Sequence, residues 1–367
     1  MLVTVPWAER LGGAEAMLQS VLEGAPAAGH EMEFVFFQDG SWPQELRAAG
    51  YATWVIEAGR LRRVDRWAAT VARLRALLLE RRPDLLLNWS AKTHIYGAPA
   101  AVLAGMADRL VWWQQAIPKD AWVDRAATAL PAFAVGCYSR AAAEAQQRMV
   151  PRRRTFVVGA GSPVPPAEPQ RPLTLPADVP IVGLVGRLQP WKGQDRLLRA
   201  QALLRDRGLR MHTVIVGGDS WGLSPDYAAS LPALVEQLGL GEDVTMTGQV
   251  PDAGPYVRQM DVLVNASDPE PFGIVLLEGM ARGVAVVAVD SGGPGDFIAQ
   301  GETGMLARSG RPEDLADALE PLLGSAELRE RIGAAGLASF MRDFTDKALQ
   351  RRFFAAFEEL ARSRVAR

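Results

Sequence analysis

The 367-residue chain has a single cysteine, Cys137, and three histidines, His30, His94 and His212. A lone cysteine excludes an intramolecular disulfide and any cysteine-built metal cluster, and it suits a reducing compartment. Dispersed histidines without an Asp-x-Asp pair leave no signature of a protein-bound catalytic metal. An excess of one charge is also missing. Forty Lys and Arg stand against 42 Asp and Glu, so no global positive field gathers nucleic acid. Long apolar runs are absent too: stretches such as Val284 to Val289 fall far short of the roughly 20 residues that span a bilayer. The opening Met1 to Trp7 turns acidic at Glu9 and lacks the basic, apolar and small-residue pattern of a secretory leader. These absences predict a metal-free, cytoplasmic protein with no nucleic-acid partner.

Hydrophobic residues make up 49% of the chain and charged residues 22%, which fits a folded globular protein. Its length exceeds what one core normally fills, so two domains are expected. Short apolar runs alternate with helical patterns throughout, which predicts parallel α/β sheets. In the first half the strand candidates are Leu2 to Val5, Glu33 to Phe37, Leu85 to Asn88, Leu110 to Trp113, Ala132 to Cys137 and Thr155 to Val158. Amphipathic stretches such as Ala14 to Ala25 and Trp67 to Glu80 lie between them. The Pro-rich stretch 163–179 reads as a linker. Beyond it the pattern restarts with Ile181 to Val185, His212 to Val216, Val244 to Thr247, Val262 to Asn265, Ala285 to Val289 and Gly304 to Ala307. Residues 1–162 and 180–345 are thus expected to form two Rossmann-like, doubly wound domains facing a central cleft. Apolar residues Leu349, Phe353, Phe354, Phe357 and Leu360 predict a closing amphipathic helix within 346–367.

Four segments carry the chemistry. In Asp268-Pro-Glu270-Pro-Phe272-Gly273-Ile274 the glycine opens a helix, whose free N–H groups suit a phosphate. Glu278, one turn further on, suits two vicinal hydroxyls. In Gly186-Arg187-Leu-Gln-Pro-Trp191-Lys192-Gly193 a strand ends in glycine and offers two cations, a planar fork and a compact charge, to a departing diphosphate. Gly12-Gly13 follows the first strand, where backbone can approach a ligand closely. Asp290-Ser-Gly292-Gly293-Pro-Gly295-Asp296 follows another strand and could wrap a sugar with amides. Taken singly, each also reads as a tight turn or a solvated surface charge.

Together, and with the turn Gly248-Gln249-Val250, these segments resemble the retaining glycosyltransferases of family 4, which have the GT-B fold and an E-x7-E motif. The resemblance implies transfer of a hexose-type sugar from a nucleotide-sugar donor, UDP- or GDP-linked, to a hydroxyl acceptor. It would place Arg187 and Lys192 on the diphosphate and Glu270 on the donor-sugar hydroxyls. Glu278 would bind the ribose, and the Phe272, Gly273 and Ile274 amides the phosphate and sugar. Gln249 and Val250 would meet the base edge, while Gly186, Gly12 and Gly13 would lie against the diphosphate and acceptor. The final helix would cross back onto the first domain.

Two departures stand out. Where the family often has a histidine near the reacting carbon, this chain has Gln115, preceded by Gln114; an amide hydrogen-bonds but does not exchange protons near neutral pH. The glycine loop reads Gly295-Asp296 where Glu is usual. A GT-B epimerase or hydrolase, or a non-catalytic nucleotide-sugar binder, therefore remains an alternative.

The acceptor is less constrained. Residues 1–160 carry 19 Lys and Arg against 15 Asp and Glu, with clusters at Arg60 to Arg66 and Arg152 to Arg154, a polarity that permits weak peripheral membrane contact. Eight of the ten Trp precede residue 130. His94, in a loop after Asn88-Trp-Ser90, and Trp113 are candidates for the acceptor or sugar; His212 and His30 read as structural and surface residues.

Overall fold

The computed structural model describes residues 1–10, 12–59, 63–166, 170–219 and 222–365. Leu11, Arg60 to Arg62, three residues of the Pro-rich stretch, Ser220, Trp221 and the last two residues of the closing segment lie outside the described residues. The chain divides into two compact units, Met1–Ala160 with Leu349 onward, and Gly161–Ala348.

The first unit is built on seven parallel strands: β1 (Leu2–Val5), β2 (Glu33–Phe36), β3 (Thr53–Val55), β4 (Leu86–Asn88), β5 (Leu110–Gln114), β6 (Ala134–Cys137) and β7 (Thr155–Val157). Their order is β3-β2-β1-β4-β5-β6-β7, so strand order reverses direction between β1 and β4. β1, β4, β5 and β6 are buried at every position, and apolar apart from Thr4, Asn88 and Gln114, as in strands covered by helices on both faces. β3 escaped the sequence reading: it is a three-residue edge strand with a polar first residue and half-buried side chains, too short to show a period. The helix Val64–Arg81 starts three residues before the expected Trp67, with Asp65 in its first turn.

The closing helix, Asp346–Val365, buries Leu349, Phe353, Phe354, Phe357 and Leu360. Phe353 packs on Trp113 and Phe357 on Phe156, while the Gln350 amide donates to the Ser20 carbonyl at 2.8 Å. From Leu349 on, the helix thus completes the core of the first unit.

The second unit holds β8 (Ile181–Val185), β9 (His212–Val216), β10 (Val244–Met246), β11 (Val262–Asn265), β12 (Ala285–Val289) and β13 (Met305–Ala307), all parallel, in the order β10-β9-β8-β11-β12-β13. Here strand order reverses between β8 and β11. The stretch expected as a free linker belongs to this unit, and the Gln259 amide ties down Leu173 by donating to its carbonyl and accepting from its N–H. His212 is structural, with Nε2 2.8 Å from the Thr245 hydroxyl. His30 is half-buried rather than a bare surface residue, stacked 4.8 Å from Phe354. No described helix is long and apolar enough to cross a membrane.

Candidate functional site

Open parallel sheets bind ligands beyond the carboxyl ends of their strands, where strand order reverses. In the second unit that position lies between β8 and β11, and the loops leaving these two strands meet there. The loop after β8 turns through Pro190–Lys192 to Gly193, whose φ of 75° starts helix Gln194–Asp206. A Cβ on Gly193 would sit 2.5 Å from the Ala266 carbonyl oxygen, so only glycine lets the two loops touch. The Asp268 N–H then donates to the Trp191 carbonyl at 3.1 Å.

This contact brings Lys192 to Glu270. The ammonium donates to Glu270 Oε2 at 3.0 Å, and the Asn265 amide donates to the same oxygen at 3.1 Å. Lys192 also sits 4.0 Å over the ring of Trp191. Glu270 is buried, and burial alone would push its proton affinity up. The Lys192 charge and the donors Asn265, Lys192 and Ser267 outweigh this and hold the carboxyl below its ordinary range. Glu270 is therefore an anion at neutral pH, clamped and unable to donate a proton. The same loop is anchored by Gly293, whose N–H donates to the Glu270 carbonyl at 2.8 Å; a Cβ there would lie 2.4 Å from Phe272 Cα. Ser291 secures the loop from the other side, its hydroxyl donating to Asp268 at 2.6 Å.

Arg187 lies on the β8 loop, half-buried, and among the described residues its guanidinium has no hydrogen-bond or ion-pair partner. Gly186 closes the end of β8 by donating to the Val216 carbonyl at 2.9 Å. The turn Gly248-Gln249-Val250 comes alongside through the Gly217 N–H, which donates to the Gly248 carbonyl at 3.0 Å; Gln249 is exposed and Val250 half-buried. Gly273 precedes the seven-residue helix Ile274–Met280. Phe272 is buried against Phe297, with ring centroids 5.0 Å apart. Glu278 is half-buried on that helix. Burial raises its pKa to about 7, with Asp252 adding to the shift and Arg282 opposing it. The helix thus presents a carboxyl that changes charge near neutrality. Asn265 and Ser267 were missed as site residues, although a polar residue ending the apolar run Val-Leu-Val is a readable signal.

At the equivalent edge of the first unit, Gly12 and Gly13 lead from the β1 loop into helix Gly13–Gly24. The Gln115 amide donates to the Trp89 carbonyl from a half-buried position. Gln114 is buried instead, in a chain with Gln146 and Thr128. Two expectations fail here. Trp113 is fully buried, stacked on Trp89 at 5.3 Å and edged by Tyr138, Phe156 and Phe353, so it has no face left for a sugar. His94 lies not in a loop but on helix Ala91–Leu103, and it is likewise enclosed, 3.3 Å from the Asn88 amide and parallel to Trp112 at 4.9 Å. Burial, with Arg153 adding to it, lowers the His94 pKa to about 3, so the ring is neutral. Among the described tryptophans the most exposed are Trp122, 63% exposed, and Trp7, 39% exposed beneath Lys92. Among the described residues no three His, Cys, Asp or Glu side chains converge as a metal cluster would require.

Comparison with known proteins adds three findings. Residues 167–338 match the family described as Glycosyl transferases group 1. The D-inositol 3-phosphate glycosyltransferase of Nocardia farcinica is 38% identical over 193 residues, 51% of this chain and 43% of that protein. The chain thus matches less than half the length of that curated relative. HepE of Anabaena, solved with UDP, superposes with a TM-score of 0.82 over 98% of this chain and 99% of HepE, at 24% identity. Sucrose-phosphate synthase of Thermosynechococcus elongatus gives 0.79 over 99% of both chains at 21% identity. The fold is that of the GT-B glycosyltransferases, with two Rossmann-like α/β domains.

Proposed function

We propose that this chain is a retaining, metal-independent glycosyltransferase of family 4 that moves a hexose-type sugar from a nucleotide-sugar donor to a hydroxyl acceptor. The observation that carries the reading is the buried, ionised Lys192–Glu270 pair at the reversal point of the second sheet, with the unpartnered Arg187 on the same loop. Two cations on that loop suit a diphosphate, and a clamped carboxylate suits sugar hydroxyls. HepE has been solved with UDP and with UDP-glucose, which makes a uridine donor the first to test ahead of a guanosine one.

In this reading Arg187 and Lys192 neutralise the diphosphate as the bond from C1 to the phosphate oxygen breaks and its electron pair leaves with the phosphate. The acceptor oxygen bonds to C1 from the same face, and its proton passes to the departing phosphate oxygen. No protein acid is required, which agrees with an amide at Gln115 and an ionised Glu270. Glu270 receives the donor-sugar hydroxyls and Glu278 the ribose hydroxyls. The amides of Gly186, Phe272, Gly273 and Ile274 cradle phosphate and sugar, and the backbone at Gln249 and Val250 meets the base. Gly12, Gly13 and Gln115, at the strand edge of the first unit, are assigned to the acceptor. The named relatives favour a small polyhydroxylated acceptor, such as an inositol phosphate.

A product assay with UDP-glucose and an inositol phosphate, extended to GDP, ADP and TDP sugars, tests the reading. Transfer with retained anomeric configuration, unaffected by chelator, is expected. Hydrolysis or epimerisation without transfer, or activity lost in chelator and restored by manganese, would contradict it.

A further inference from the structure

The second unit carries an open groove of about 890 Å³ beside the same loops, lined by Arg196, Arg199, Arg308 and Arg311. Three carboxylates share it, and each is already engaged. Asp314 is buried, accepts from Ser309 and from Arg311, and lies 3.0 Å from Arg308. Asp195 accepts from the Tyr227 hydroxyl at 2.7 Å, and Asp268 from Ser291. Arg196 donates only to the Ala266 carbonyl, at 3.2 Å. Arg199 has no hydrogen-bond or ion-pair partner among the described residues and is exposed. Three residues apart on helix Gln194–Asp206, Arg196 and Arg199 share one face, roughly 4.5 Å apart along the axis.

We propose that this groove is a second anion site, separate from the Lys192–Glu270 site, for a small ligand bearing two phosphate-type groups. Two underneutralised guanidiniums at that spacing offer forked donors to adjacent phosphates, and Arg308 and Arg311 close the other side. Arg308 also lies 3.5 Å from Asp317, so it is Arg196 and Arg199, without carboxylate partners among the described residues, that keep donors free for such a ligand. Asp268 lines the groove and stands two residues before Glu270, so occupancy bears on the loop that holds the Lys192–Glu270 pair. The ligand chemistry is shared by inorganic diphosphate and by a doubly phosphorylated sugar.

Calorimetric titration of the full chain with inorganic pyrophosphate tests this against two variants. In Arg187→Ala/Lys192→Ala, pyrophosphate affinity should persist while UDP affinity falls. In Arg199→Gln/Arg308→Gln the pattern should reverse, with pyrophosphate bound about tenfold or more weakly and UDP unchanged, as expected for losing two charge-assisted donors. Should the double variant fail to fold, the exposed and unpartnered Arg199→Gln alone carries the comparison. A parallel titration with a hexose bisphosphate distinguishes the two sources; tighter binding of either ligand, with the same dependence on Arg199, supports the site. Absence of pyrophosphate binding to the wild type, or binding lost only in Arg187→Ala/Lys192→Ala, would overturn it.

Discussion

The two sheets reverse strand order in the same way, yet their reversal points hold opposite chemistry. Between β8 and β11 stand a cation and an anion, Lys192 and Glu270, with Asn265 at the strand end. At the ends of β1 and β4 the strand residues themselves are neutral: the Thr4 hydroxyl donates to Asn88 at 2.7 Å, and Asn88 faces a neutral His94 under Trp112, while the nearby cation Lys92 is spent over the ring of Trp7. The first arrangement keeps charge where a ligand can use it. The second satisfies buried polar groups within a core, as buried amides and hydroxyls require. A shared topology therefore fixes where a site can be, and side-chain chemistry sets what each position can hold.

Mutations sharpen this contrast. The largest effect is expected at Lys192→Ala. Turnover should drop about a hundredfold or more with loss of a preorganised cation. Stability should fall by about 3–5 kcal/mol as well, because Glu270 loses the partner of a buried pair. Steady-state kinetics and thermal melts check both. Arg187→Ala should cost about as much turnover with little change in melting, since its guanidinium has no protein partner to lose. On β5 of the first unit the signs separate differently: Trp113→Ala should destabilise by about 3–5 kcal/mol by emptying a packed core position. Its kcat at permissive temperature should stay close to wild type. A Trp113 variant with normal melting and a raised acceptor KM would restore the face-of-a-sugar role that the packing denies.

Smaller effects concern the two acids. Glu270→Gln should lower kcat, whereas Glu278→Gln should chiefly raise the donor KM. The pH dependence of Glu278 has a definite sign. Its folded pKa is raised from 4.5 to about 7, so between those values the native state keeps a proton that the unfolded chain has released, and stability falls as pH rises. Glu278→Gln should remove that decline, which melting curves at pH 5 and pH 8 would detect. Glu270 has the opposite sign: its depressed folded pKa supports stability above the unfolded value, and that support disappears on acidification.

Most strands were legible because central parallel strands are continuous apolar runs, as in Val262–Asn265 and Ala285–Val289. The Glu270, Lys192 and Arg187 segments were legible because glycine turns after such runs announce a sheet edge. What escaped depends on contacts distant in sequence. Nothing local distinguishes Trp113, enclosed by Phe353 from the closing helix, from the exposed Trp122. Likewise, His94 reads as a loop residue until the ring of Trp112 and the Asn88 amide enclose it. Composition located the tryptophans in the first half, but burial withdraws Trp113 from the acceptor.

The most direct test of the account is calorimetric binding of UDP, GDP, ADP and TDP to the wild type, Arg187→Ala/Lys192→Ala and Trp113→Ala. The account predicts that at least one nucleotide, with UDP the first expectation, binds the wild type and Trp113→Ala alike and fails to bind Arg187→Ala/Lys192→Ala. Equal binding by all three proteins, or no nucleotide binding by the wild type, would contradict a donor site at the β8–β11 edge.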